Sequence, residues 1–116
     1  MSSYKIFKKG TYKFNPFVIY GKTLENTFEI TFSEYGSKKD LSFGIFKMEN
    51  NQFELTYPND EVMMIMEGGV IITTDNGELN LEAGDIIQVK EGLKATIATK
   101  RFVKIFFVGF PVRSVQ

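Results

Sequence analysis

Apolar side chains recur at every second position along this chain, and that period constrains the fold class more than any other feature. Phe28, Ile30 and Phe32 alternate with Thr27, Glu29 and Thr31. Leu41, Phe43 and Ile45 alternate with Ser42 and Gly44, and Phe53, Leu55 and Tyr57 with Glu54 and Thr56. A period of two sends successive side chains to opposite faces of an extended strand, so it marks half-buried antiparallel strands whose apolar set is covered. No window of helical length carries an apolar stripe with a cap before it and a glycine after it. Turn signals follow at short spacing: Asn15-Pro16, residues 34–40, Glu49-Asn50-Asn51, Pro58-Asn59-Asp60, Glu67-Gly68-Gly69, Asp75-Asn76-Gly77, Ala83-Gly84-Asp85 and Glu91-Gly92. Asn76-Gly77, between residues 70–74 and 78–81, predicts a hairpin closed by a type I′ turn. The fold class is all-β.

Residues 62–66, 70–72 and 105–108 are apolar on both faces, the pattern of strands covered on two sides. In a two-sheet domain the inner set fills the core and the outer set needs its own cover. A second subunit is the first expectation, docked around Met64, Met66, Ile105 and Phe107 in a two-fold dimer. Residues 17–19 are a second candidate cover.

What the chain lacks narrows its chemistry. It has no histidine, which removes the commonest general base, the commonest transition-metal ligand and every triad built on imidazole. It has no cysteine, which removes disulfides, zinc–thiolate sites and thiol nucleophiles. Any metal would need oxygen ligands, and any acid–base chemistry falls to Glu, Asp, Lys or Tyr. Lys plus Arg equals Asp plus Glu at 14 each, so no net charge draws the chain to nucleic acid or an anionic membrane. The first ten residues lack the apolar stretch of a secretion signal, and the apolar run 105–110 is too short to span a bilayer. A cytoplasmic location is expected. At 116 residues one domain is expected, with a core rich in its twelve phenylalanines.

Residues 57–95 resemble the two-motif core of the cupin family. The first motif reads Leu55-Thr56-Tyr57-Pro58-Asn59-Asp60-Glu61 and runs on to Glu67-Gly68. The family has histidines where Leu55 and Tyr57 stand and an acidic ligand at Glu61. The second motif opens at Gly84-Asp85 and keeps Gly92 before its last ligand position, here Ala95, while Lys90 stands where proline is usual. The resemblance implies a cupin-type antiparallel double-sheet (jelly-roll) barrel as a single domain over residues 1–116. Its N-terminal strands lie in 1–40 and its core in 41–111. Three of the four metal positions carry non-ligands, so no metal and no cofactor are expected.

Phe46-Lys47-Met48-Glu49-Asn50, then Asp60-Glu61, Met66-Glu67-Gly68, Ala83-Gly84-Asp85 and the closing run 101–111 are similar to the cupin part of EutQ-type ethanolamine-utilisation proteins. That likeness implies a bacterial protein connected with ethanolamine catabolism and its microcompartment proteins. Acetate kinase activity is attributed to the group. The chain itself has no glycine-rich phosphate loop, because no helix follows Gly68-Gly69 or Gly84.

In the cupin register Phe53, Leu55, Tyr57, Glu61, Met63 and Ile65 share a parity that faces the barrel interior, with Ile87, Val89, Ala95 and Ile97 on the facing wall. Glu61 is the candidate catalytic acid or base, a carboxylate in an apolar mouth. Tyr57 is the candidate partner that orients a ligand. Phe53, Leu55, Met63, Ile87 and Ala95 are the candidate binding wall. Against this, Glu61 is equally read as a hydrogen-bonded mouth residue, and Tyr57 as an aromatic filling the volume of a lost histidine. Asp60 points to the opposite face from Glu61, so the two form no carboxylate pair. Three functions remain open: an enzyme using Glu61 with Tyr57, a non-catalytic binder of a small acid or amine, and a scaffold for a microcompartment partner. The scaffold requires an interior filled by Phe53, Tyr57 and Met63.

Overall fold

A computed structural model describes residues 4–32 and 41–110 of the chain. Seven strands make up its regular structure: β1 (Asn15–Ile19), β2 (Lys22–Phe32), β3 (Ser42–Thr56), β4 (Asp60–Thr74), β5 (Gly77–Glu82), β6 (Ile86–Val89) and β7 (Lys94–Phe110). All pair antiparallel in the order β1-β2-β3-β7-β4-β5, with β6 added beside β4. The turn signal at residues 34–40 lies outside the described residues. Among the described residues the ladder is not closed into a ring by hydrogen bonds.

Three strands of 15, 15 and 17 residues, β3, β4 and β7, carry the architecture. β7 lies between the other two, pairing Gly109 to Ser42 and Lys94 to Thr56 on one side and Phe110 to Asp60 and Thr96 to Thr73 on the other. Strands this long wrap a core only if they bend, and each bend is a bulge. β3 shifts register between Glu49 and Asn51, and β4 shifts between Ile65 and Glu67 and again between Gly68 and Ile71.

Two of the expected turns are therefore these bulges. Glu49-Asn50-Asn51 and Glu67-Gly68-Gly69 sit inside strands because a bulge uses the same left-handed backbone as a turn. Asn50 has φ +40° and Gly68 has φ +75°. Gly68 also passes under the Phe102 carbonyl, where any Cβ would collide with backbone. Asn15-Pro16 likewise opens β1, with a bulge between Pro16 and Val18.

The β4–β5 hairpin forms where expected, but its loop is Asp75-Asn76. The positive φ of +113° falls on Gly77, which pairs with Thr74, so the geometry is a turn closed by a glycine bulge and not a type I′ turn. A two-residue turn with positive φ at both positions does occur, at Tyr20-Gly21 (+49° and +77°) between Ile19 and Lys22.

The alternation sorts the strands, yet in β2 and the first half of β3 the apolar set does not face the barrel interior. Thr27, Glu29 and Thr31 of β2 share the face of Met48, Phe46 and Gly44 of β3. Phe28, Ile30, Phe32, Phe43 and Ile45 point outward. One outward row runs Ile30, Ile45, Phe106, Met64 and Ile86 across five strands.

The cover over part of this outer face comes from residues 7–14. Phe7 lies 4.3 Å from Phe32 and 5.6 Å from Phe43, ring centre to ring centre, Tyr12 lies 5.3 Å from Phe32, and the Lys47 ammonium sits 4.2 Å from the Phe14 ring centre. Residues 17–19 are not that cover: Phe17 and Ile19 are buried in the core cluster. Ile105 and Phe107 are inward as well, so the outer apolar face is made by their neighbours Phe106 and Val108 with the half-exposed Val62, Met64 and Met66. No helix among the described residues is long and apolar enough to cross a membrane.

Candidate functional site

At one end the interior is sealed. Met48, Val103, Ile65 and Ile72 are each at most 1% exposed, and Thr27 is fully buried, its hydroxyl donating to the Glu25 carbonyl at 2.8 Å. At the other end the walls do not meet. They leave a cavity of about 440 Å³ that reaches from Ile72 and Ile97 to the loop Pro58-Asn59.

Tyr57 follows directly on β3. Its N–H donates to Leu93 O (2.9 Å) and its carbonyl accepts from Gly92 N–H (2.8 Å), while Asp60 Oδ1 accepts from Glu91 N–H (2.9 Å). These bonds staple the loop after β3 to the turn before β7. They also give Asp60 its role as a loop tie, pointing away from Glu61. Tyr57 is 4% exposed, and its hydroxyl donates to the Met63 sulfur at 3.7 Å, a weak acceptor. Burial, and then the nearby Glu61 charge, push the phenol well above its ordinary value, so it stays protonated.

Glu61 stands near the start of β4, flanked by Gly109 of β7 and Val89 of β6. A side chain at Gly109 would collide with the Asn59 amide, so this glycine leaves room for the buried Asn59 beside the mouth. Burial among apolar walls pushes the Glu61 carboxyl up to about 7, and the Glu29 charge adds to the effect.

Glu29 lines the same cavity from β2, and its carboxyl is also raised by burial. Sequence reasoning missed it. Within Thr27 to Thr31 the charged residue sits in the polar set, which alternation assigns to solvent. The overlooked signal was the aromatic run of Phe7, Tyr12 and Phe14, which needs an apolar partner and finds it on the other face of β2.

Of the residues expected at the site, Glu61, Tyr57, Phe53, Leu55 and Met63 line the cavity together. Ile87 and Ala95 do not line it. Ile87 packs against the core opposite Met63, and Ala95 is buried as the cross-strand partner of Leu55. Phe53 joins Phe17 and Phe46 in a three-ring cluster with centres 5.1–5.7 Å apart, all three on the cavity wall.

The positions at which the cupin resemblance would place a metal do not suit one. Leu55 and Ala95 are hydrocarbon and meet each other across the ladder. The Tyr57 hydroxyl keeps its proton, which leaves Glu61 as a single carboxylate. Among the described residues no three His, Cys, Asp or Glu side chains come together as a ligand set.

With this geometry in hand, comparison with known structures shows the fold. A putative ethanolamine utilization protein Q from Salmonella typhimurium LT2 superposes with a TM-score of 0.67 at 19% identity, over 75% of this chain and 71% of that one. The Clostridium difficile EutQ protein gives 0.63 at 20% identity, over 73% and 69%. A cupin superfamily protein of Desulfitobacterium hafniense DCB-2 gives 0.60 at 19% identity, over 72% and 78%. No curated protein matches in sequence. The sequence model of the family described as ethanolamine utilisation protein EutQ matches residues 23–115, which takes in both carboxylates, Tyr57 and every strand from β3 to β7. An antiparallel cupin barrel matched over that length belongs to the EutQ family.

Proposed function

We infer that the chain is a metal-free EutQ-type cupin that binds a small polar metabolite in the barrel mouth and exchanges a proton with it at Glu61. The observation that carries this reading is a carboxyl group raised to about 7 on the wall of a 440 Å³ cavity. A group poised near neutrality is suited to both giving and taking a proton, and the cavity leaves room for the molecule it would serve. Tyr57, held protonated beside it, supplies an orienting hydroxyl.

A screen of small acids, amines and phosphates by thermal shift identifies the ligand, and Glu61→Gln then separates chemistry from binding. An enzyme loses turnover with its ligand still bound, whereas a carrier or sensor changes in affinity alone. Unchanged affinity and unchanged turnover in a stabler Glu61→Gln variant would remove Glu61 from the site. Non-catalytic binding is the second reading, supported by the same cavity. A scaffold serving microcompartment proteins is less favoured, because Phe53, Tyr57 and Met63 line the cavity instead of filling it.

The bare part of the outer face, Val62, Met64, Phe106 and Val108, supports a two-fold dimer as the working state. A monodisperse monomer by light scattering at high micromolar concentration would reject it. Elemental analysis is expected to find no stoichiometric transition metal, and about one per chain after mild chelation would overturn the metal-free assignment.

A further inference from the structure

The geometry points to a small organic cation as the occupant of this cavity. Its ammonium group sits between the Glu29 and Glu61 carboxylates and the Tyr57 hydroxyl oxygen, with its carbon substituents against Phe17, Phe46 and Phe53. The inference rests on the reading of the cavity as a ligand site and adds the sign of the ligand's charge.

Three independent features carry it. The first is charge. The cavity wall takes one carboxylate from β2 and one from β4, while no lysine or arginine lines it from any element. The facing groups from β1 and β7 are hydrocarbon or aromatic: Phe17 and Val18 on one side, Ile97, Ile105 and Phe107 on the other. An acid or a phosphate placed here would meet two carboxyl groups and no counter-charge.

The second feature is the Tyr57 hydroxyl, a polar group more than nine-tenths buried on the cavity wall. Its proton is committed to the Met63 sulfur, so what the oxygen offers an occupant is lone pairs. Those lone pairs accept from an N–H and repel an anion.

The third is the ring cluster. Three phenylalanines within 5.1–5.7 Å of one another form one wall, and aromatic faces attract alkylammonium ions in desolvated sites. With no cation present, two carboxyl groups feeling each other in an apolar cavity relieve their repulsion by keeping a proton. A bound ammonium supplies the positive charge instead, so it competes with that proton.

The test is calorimetric titration of the full chain with ethylammonium, 2-hydroxyethylammonium and tetramethylammonium, set against acetate and inorganic phosphate, at pH 6 and pH 8. At least one cation is expected to bind and neither anion. Glu61 titrates at about 7, so cation affinity should rise on the order of tenfold from pH 6 to pH 8, with protons released on binding at the lower pH. Glu29→Gln and Glu61→Gln should each weaken cation binding at pH 8 by tenfold or more, in variants whose thermal melting shows them folded. Acetate or phosphate binding that tightens toward low pH overturns the cation assignment and leaves the cavity a ligand site. Cation binding indifferent to both glutamine variants places the ions elsewhere on the surface and also overturns it. Binding by neither class defeats the inference and the broader reading together.

Discussion

The two ends of the barrel interior are built from the same three strands and do opposite things. Toward the bulges, Met48 of β3, Ile65 of β4 and Val103 of β7 close on one another with almost no exposed surface. Toward the mouth the same strands present Leu55, Glu61, Met63 and Phe107, and a cavity remains between them. The change follows what crosses from β2. At the sealed end it contributes Thr27, small and internally hydrogen-bonded; at the mouth it contributes Glu29, whose carboxyl cannot be packed against hydrocarbon without cost. One end of the core is spent on cohesion, and the other holds two charges that weaken it.

The contrast predicts unequal responses to the same kind of truncation. Met48→Ala at the sealed end should cost roughly 2–5 kcal/mol, read as a fall in melting temperature of more than about ten degrees. Leu55→Ala on the cavity wall should cost less than half as much, because its side chain already faces a void. Equal losses in denaturant unfolding would mean that the mouth is packed as tightly as the far end.

The next effect is on pH. Glu61 has its folded value raised from 4.5 to about 7, so the folded state holds a proton that the unfolded chain gives up. Stability is therefore greatest below the unfolded value and is lost as pH rises from about 4.5 through 7, by roughly 2–3 kcal/mol between pH 5 and pH 8. Glu61→Gln should flatten this slope and be the more stable protein at pH 8, as thermal melts across pH will report. A wild-type melting temperature that climbs from pH 5 to pH 8 would contradict the burial of this group. The two carboxyls titrate as a pair, so Glu29→Gln should shift the wild-type midpoint downward.

Smaller again is the loop tie. Asp60→Ala removes the acceptor for Glu91 N–H and should cost about 1 kcal/mol, seen as faster amide exchange over residues 90–93. The smallest effect belongs to Tyr57→Phe, which gives up only a long hydrogen bond to sulfur and should change stability by less than about 0.5 kcal/mol. Because Tyr57 faces the cavity, the same variant should weaken ligand binding out of proportion to that figure.

The fold was legible because alternation and turn residues are local signals, and the cupin-like motifs around Glu61 and Gly84-Asp85 gave the strands a register. Glu61 and Tyr57 could be placed on the interior from parity alone, since no bulge intervenes between Glu61 and Ile65. Legibility failed where a local signal has two structural meanings. Asn50 and Gly68 announce left-handed backbone, and nothing in their neighbours says whether the chain reverses there or merely bends. It failed again at β2, where both faces are covered and the polar face happens to be the inner one. Which face is inside depends on where residues 7–14 lie, and that is a contact across the molecule that no periodicity carries.

The position of β7 has a consequence for synthesis. It is the seventh of seven strands and the one that lies between β3 and β4, so the central partner of both arrives last. Until residues 94–110 have left the ribosome, β3 and β4 each have an unpaired edge of some fifteen residues, and neither can pair correctly with the other. Contacts of such long sequence separation form late and slowly. A nascent chain stalled before residue 94 should therefore be open to proteases and to chaperones that hold unpaired strands, however stable the finished barrel is.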